Sequence, residues 1–216
     1  MNNPDGRFVL ALETGIGGGS AAILENGRQI DFAEGADGLS KSEDILPVIE
    51  ELLKKNGIKK KEIGLIAVSE GPGSLTGLRI GLAIAKGLGD SLAAKVYKIS
   101  ALEALTYCAN FEGRVISAIL SKKSGTFFSE FLIKDGKRTL SGDIVHRSNP
   151  VDFVKNLENL CGEDISFVVT GNLLPLIAEA AKAFENAKTL DEKRFFSVEG
   201  NLAGIIGLAA ANRLRV

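Results

Sequence analysis

RFVLALETGIGGGSAAILENGRQIDFAE, residues 7–34, is the stretch on which the fold turns. Residues 7–12 form a compact apolar run, the length and character of a buried strand. A glycine loop follows at 13–19. Residues 20–24 read as a second strand. Asn26-Gly27 then supplies the two residues that tolerate the positive φ angles of a type I′ turn. Residues 29–34 return as a third strand, so the chain opens as an antiparallel meander. Beyond it, Ser40-Lys41-Ser42-Glu43 fits a helix capping box. Ile45, Leu46, Val48, Ile49, Leu52 and Leu53 recur at helical spacing as far as Asn56-Gly57, a C-cap. Pro47 lies inside this stretch, so the helix either starts later than Ser40 or bends at Pro47. A strand at 63–69, a helix at 74–88, a strand at 95–99 and a helix at 101–109 complete the order βββαβαβα.

RVISAILSKKSGTFFSEFLIKDGKRTLSGDIV, residues 114–145, restarts the same pattern. Strands are expected at 114–120, 126–134 and 138–145, with Asp135-Gly136 as the hairpin turn. A helix at 151–160, a strand at 165–170 and a helix at 173–184 follow. Arg7 to Asn26 is 19 residues and Arg114 to Asp135 is 21. This agreement, turn for turn, points to duplication of a βββαβα unit. That unit is the ribonuclease-H-like fold. Two in tandem give an α/β protein of actin/Hsp70-like (ASKHA) architecture with a shortened second subdomain. The expected division is 1–110 and 111–199, with a C-terminal helix within 200–216 able to complete the first part.

Composition narrows the chemistry. The chain of 216 residues has a formal net charge of −1, with 45% hydrophobic and 25% charged residues. Neither half is a basic arm, which argues against a strong electrostatic grip on nucleic acid. A single histidine, His146, excludes an HExxH zinc site, and it would have to serve any Ser-His-Asp or Cys-His machine. Cys108 and Cys161 can form at most one disulfide. They and His146 read as structural residues. The longest apolar run, 202–211, is ten residues, far below the ~20 needed to span a bilayer. With no secretory leader, the expectation is a cytoplasmic, reduced protein without a membrane role.

Two loops carry candidate chemistry. Glu13, Thr14 and Gly15 open the first glycine loop, whose backbone N–H groups could cradle a phosphate; a plain turn is the alternative. Gly71, Gly73 and Ser74 lie in Ser69-Glu70-Gly71-Pro72-Gly73-Ser74, which joins a strand to a helix and could expose N–H groups to an anion, or simply make a tight turn. The matching loop of the second half, 121–125, has no carboxylate. Glu13 and Glu70 are the only obvious carboxylate pair, too little for a metal-dependent nuclease. The helix at 74–88 carries two apolar faces, one with Leu75, Leu78, Leu82 and Ala85, the other with Gly77, Ile80, Gly81, Ile84 and Leu88. Gly77 and Gly81 would let another backbone approach closely. Either the helix at 42–56 covers that second face, or another protein docks there. Lys54, Lys55, Lys59, Lys60 and Lys61 read as a solvated cluster suited to a helix C-terminus.

SEDILPVIEELL (42–53), IAVSEGPGSLTGLRIGLAIAKGL (66–88) and SALEAL (100–105) closely resemble one family. It is the bacterial tRNA threonylcarbamoyladenosine biosynthesis family TsaB, also called YeaZ. The resemblance covers about residues 7–106, and Glu13 stands where the family usually has Asp. It implies a subunit with no catalytic residues, no metal and no cofactor. Such a subunit binds and supports the transferase TsaD in forming N6-threonylcarbamoyladenosine beside the tRNA anticodon. It also implies a TsaE-type ATPase in the wider complex, only indirect contact with tRNA, and a homodimer through the same helices when alone. Its docking helices map to Ile45, Leu46, Ile49, Leu53, Gly77, Ile80, Gly81, Ile84 and Leu88. The competing expectation is an actin-like ATP-dependent small-molecule kinase or ATPase, with Glu13 essential.

Overall fold

The computed structural model describes residues 6–16, 18–34, 45–108, 110–121, 125–147, 152–153, 165–173, 175–176, 195–198 and 201–214. The chain forms two compact units, Met1–Tyr107 with Gly200–Val216, and Cys108–Glu199.

The first unit is built on a five-stranded sheet. Its strands are β1 (Phe8–Glu13), β2 (Ser20–Glu25), β3 (Arg28–Glu34), β4 (Ile63–Ser69) and β5 (Lys95–Ile99), in the order β3-β2-β1-β4-β5. The meander β1-β2-β3 is antiparallel, and β4 and β5 run parallel to β1. The Asn26-Gly27 turn has φ of 50° and 71°, the pair of positive angles its residue types allow. Alternation sorts the central strands between two faces. Leu10, Leu12, Ile23, Ile66 and Val68 point to one face, where they pack with Ile45, Ile49, Leu52 and Leu53 of α1 (Ile45–Lys55) and with α2 (Leu75–Leu92). Ala11 and Leu24 point to the other, under α4 (Leu202–Leu214). A short α3 (Ala101–Leu105) packs beside α4.

Helix α4 is apolar all round, the pattern of a helix buried on most of its circumference. It carries residues from the chain's far end into the first unit. Asn201 caps it, accepting from Gly204 N at 2.6 Å and donating to Gln29 Oε1 at 3.1 Å. Ala203 N donates to Ser20 Oγ at 3.2 Å. At Gly204 an added Cβ would strike the Gln29 carboxamide, and at Gly207 it would strike Leu24 and come within 2.9 Å of the Ala11 methyl. These glycines let the helix lie flat on the sheet.

The second unit repeats the topology. β6 (Gly113–Ser121), β7 (Gly125–Lys134), β8 (Lys137–Leu140), β10 (Ile165–Thr170) and β11 (Phe195–Val198) are ordered β11-β10-β6-β7-β8, with β9 (Val145–Arg147) pairing separately with β7. The β6-β7-β8 meander is antiparallel and β10 and β11 run parallel, as in the first sheet. Its Asp135-Gly136 turn has φ of 51° and 72°. Phe128 packs at a tilt on Phe153, ring centroids 4.9 Å apart, and Phe153 is fully buried in a cluster with Ile116, Phe167 and Val169.

Several elements depart from the sequence expectation. Helix α1 is described from Ile45 onward and runs through Pro47 to Lys55. The capping box at 40–43 lies outside the described residues. Helix α2 continues to Leu92 and ends on Ala93 with φ 52°. The helix expected over 101–109 stops at Leu105 and tightens into a 3-10 turn, Thr106–Cys108. The strand expected over 138–145 is split into β8 and β9. Strand β11 is four residues, too short to show a period. Most of the helices expected at 151–160 and 173–184 lies outside the described residues.

Gly207→Ala tests how closely α4 seats. Overpacking costs about 1–3 kcal/mol, while alanine returns up to about 1 kcal/mol of helix propensity. The expected net loss is about 1–2 kcal/mol in chemical denaturation, read as a lower midpoint at unchanged m-value.

Candidate functional site

The two candidate loops meet at the carboxyl ends of the parallel strands β1 and β4, where open α/β sheets build their sites. They interlock there. Ser74 N donates to Gly15 O at 2.8 Å. A Cβ at Gly73 would sit 2.6 Å from that same oxygen. The second loop is tied back to its own sheet: Ala101 N donates to Gly71 O at 2.7 Å, Glu70 N to Ile99 O at 3.1 Å, and Gly71 N to Ser69 Oγ at 3.2 Å. Ser74 Oγ caps α2, accepting from Gly77 N at 3.4 Å.

Glu13 occupies the place an anion would take. Its side chain turns back under the loop, and Oε1 accepts from Gly15 N at 2.7 Å and Ile16 N at 3.1 Å. Oε2 lies 3.2 Å from Ile16 N. The residue is 1% exposed. Burial pushes its carboxyl from the ordinary value near 4.5 up to about 7, while the N–H groups of Gly15, Ile16 and Thr14 pull the other way. The donors a phosphate cradle would need from Gly15 and Ile16 are therefore engaged by the chain's own carboxylate. Thr14 is buried as well, and its Oγ1 has no hydrogen-bond partner. Glu70, by contrast, is exposed.

Helix α2 seats on this loop by its smallest residues. Gly77, Gly81, Ala85 and Gly89 are its buried positions. A Cβ at Gly77 would overlap the Thr14 carbonyl, and one at Gly81 would overlap the Thr14 hydroxyl. The close backbone approach expected from Gly77 and Gly81 is made by the chain's own β1–β2 loop, which corrects their placement on an outward face. The same correction holds for Ile45, Ile49 and Leu53, which are buried against their own sheet. Ile84 and Leu88 are half-buried at the margin of that core, and Ile80 is half-buried. Leu46, 44% exposed, faces solvent. So does Leu75 at 64%.

The other singled-out residues are peripheral. Lys55 pairs with Asp31 at 2.8 Å and Lys60 with Glu50 at 2.7 Å. His146 stacks on Phe127 with centroids 4.6 Å apart. Burial pushes the Cys108 thiol up to about 11, which makes it a poor nucleophile. Cys161 lies outside the described residues. Among the described residues no group of three His, Cys, Asp or Glu could hold a metal ion. Nor is any helix among them long and apolar enough to cross a membrane.

Tandem sheets of this topology, with a glycine loop after the first strand, define an actin-like ASKHA protein. A family model described as TsaD, tRNA N6-adenosine threonylcarbamoyltransferase, matches residues 40–192, and the chain belongs to that family. A tRNA threonylcarbamoyladenosine biosynthesis protein TsaB from Haemophilus influenzae is 34% identical over 126 residues, 56% of this chain and 52% of the relative. TsaB of Escherichia coli is 29% identical over 57% of this chain and 54% of its own length. A tRNA N6-adenosine threonylcarbamoyltransferase from Porphyromonas gingivalis is 30% identical over 45% of this chain and 33% of its own length. These matches span about half the length of the TsaB relatives and a third of the transferase. In structure, YeaZ from Pseudomonas aeruginosa superimposes with a TM-score of 0.60 at 20% identity, covering 96% of this chain and 92% of that one. A ROK family protein from Streptococcus pneumoniae follows at 0.54 and 12% identity, covering 97% and 100%. Within its family the chain resembles TsaB/YeaZ.

With its carboxyl raised to about 7, Glu13 is expected to make the first unit less stable as pH rises. Its folded value lies above its unfolded one, so its contribution is full below pH 4.5, declines through the window to about 7, and is lost above it. The swing is about 3 kcal/mol. Thermal melts at pH 5 and pH 8 are expected to show wild type losing stability with rising pH relative to Glu13→Gln, which cannot ionise. Parallel curves would count against a buried, ionising Glu13.

Proposed function

We propose that this chain is a non-catalytic, cytoplasmic subunit of tRNA threonylcarbamoyladenosine biosynthesis that binds a TsaD-type transferase and keeps it competent. A TsaE-type ATPase joins the wider complex, and tRNA contacts this subunit only indirectly. The observation that carries the proposal is the state of the first loop. Its Gly15 and Ile16 donors hold Glu13, and its Thr14–Gly15 backbone is the seat of α2. A loop engaged in this way supports a helix rather than a phosphate. On α1 Leu46 stands exposed, and on α2 the half-buried Ile80 and Ile84 keep part of their surface open; these make up an apolar fringe. The similarity to named TsaB proteins supports the same role. The same fringe is the face through which copies would pair in the absence of the transferase.

The test is reconstitution with the transferase subunit from the same cell. Wild-type chain is expected to co-elute with it and restore modified adenosine in a tRNA assay. Leu46→Asp combined with Ile80→Asp is expected to weaken binding at least tenfold, with circular dichroism unchanged. Full binding by that variant would remove the fringe from the interface. The kinase alternative is tested separately by titrating Mg·ATP into the isolated chain. No heat is expected, and saturable binding abolished by Glu13→Ala would favour the kinase.

A further inference from the structure

We propose that Glu13 is a positioning residue for the transferase interface: its carboxylate, acting through the β1–β2 loop, fixes where α2 lies and thereby where Ile80 and Ile84 are presented. This rests on the subunit role proposed above and adds to it a residue that the partner never touches. Glu13 is 1% exposed, while Ile80 and Ile84 keep part of their surface open. The link between them runs through Thr14 and Gly15. Glu13 Oε1 holds the Gly15 and Ile16 N–H groups, which fixes the chain as it leaves β1. Gly15 O in turn accepts from Ser74 N, the N-cap residue of α2. The Thr14 carbonyl lies against Gly77 and the Thr14 hydroxyl against Gly81. The same loop therefore meets the helix at residues 74, 77 and 81, over about two turns.

Contacts this close leave loop and helix little freedom to move apart. Helix α2 rests on the Thr14 backbone and on a buried hydroxyl that has no hydrogen-bond partner. It is continuous from Leu75 to Leu92, so a shift at Gly77 and Gly81 carries Ile80 and Ile84 with it. The anchor is also titratable. Burial raises the Glu13 carboxyl to about 7, opposed only by N–H groups of its own loop. No charged side chain faces it from the elements packed around it. Ser20 lies opposite on β2, β4 pairs with β1 as far as Val68, and α2 brings Leu78 beside Gly15. Glu70, just beyond β4, is exposed. The buried carboxylate is the costly form, so ionisation favours an opened loop and loosens the seat of α2. Affinity for the transferase is expected to fall as pH rises through about 7.

Titration of the transferase subunit from the same cell against the full chain reads this coupling. Glu13→Ala is expected to weaken binding roughly tenfold, although the residue is buried away from the fringe. Glu13→Gln keeps a carbonyl acceptor for the Gly15 and Ile16 N–H groups. It is expected to bind as wild type does at pH 6, and to lack the loss of about threefold that wild type shows on going to pH 8. Gly81→Ala drives α2 off Thr14 and is expected to weaken binding, while adding Thr14→Ala removes the obstructing hydroxyl and is expected to recover most of it. Amide hydrogen exchange in α4, on the other face of the sheet, checks that each variant is folded. Should Glu13→Ala fail that check, the pH profile of Glu13→Gln and the Gly81–Thr14 exchange decide the matter. Wild-type affinity in Glu13→Ala and Gly81→Ala, or one pH profile shared by wild type and Glu13→Gln, overturns the positioning role and leaves the subunit role standing. Absence of binding by wild type removes both.

Discussion

The backbone of Thr14 and Gly15 is held from two sides, and the first unit is organised around that contact. On one side the Glu13 carboxylate accepts the Gly15 and Ile16 N–H groups. On the other, α2 comes down on its glycines until Gly77 and Gly81 touch Thr14. The α2 contact tolerates no larger group, because the space a Cβ would need at Gly77 or Gly81 is already filled by Thr14. The carboxylate satisfies donors that would otherwise be buried and unpaired, at the desolvation cost visible in its raised titration point. Position and partner of α2 thus follow from the β1–β2 loop, and whatever α2 and α1 present outward follows from that seat.

Closure of the sheet on its other face has a different origin. Helix α4 comes from the far end of the chain and is tied to the opening meander through Ser20 and Gln29. Its outer end pairs Arg213 with Glu103, and the Arg213 guanidinium lies 5.9 Å from the Tyr97 ring centroid. The first unit is therefore completed only after the second has been passed in sequence. Such long-range closure raises the entropy cost of reaching the native state.

The open strands at the sheet edges differ in charge and polarity. β5 carries Lys95 and Lys98 and β8 carries Lys137 and Arg138, with no acid on either strand, a pattern that disfavours pairing between like edges. The β3 edge mixes one base, two acids and two large apolar residues. The local Asp31–Phe32 bond and the irregular register between Ile23 and Leu24 make that edge less open than its composition implies.

Much of this was legible in residue order. The two Asx-Gly turns, the alternation of short apolar runs and the repeated spacing pointed to two units, each opened by an antiparallel meander, since local turn chemistry and period-two patterning act over a few residues. The far end also read correctly: an apolar run at 202–211 became α4 at the expected place. The facing of α2 was not legible. Helical periodicity shows that two sides are apolar or small, but it does not say which one the sheet takes, and glycine contributes nothing to a hydrophobic stripe. Only the packed structure decides that Gly77 and Gly81 turn inward, because the decision rests on how closely the Thr14 backbone can approach. For the same reason Glu13 read as part of a loop that could cradle a phosphate. Its burial under its own loop depends on three-dimensional contacts that no spacing along the chain encodes.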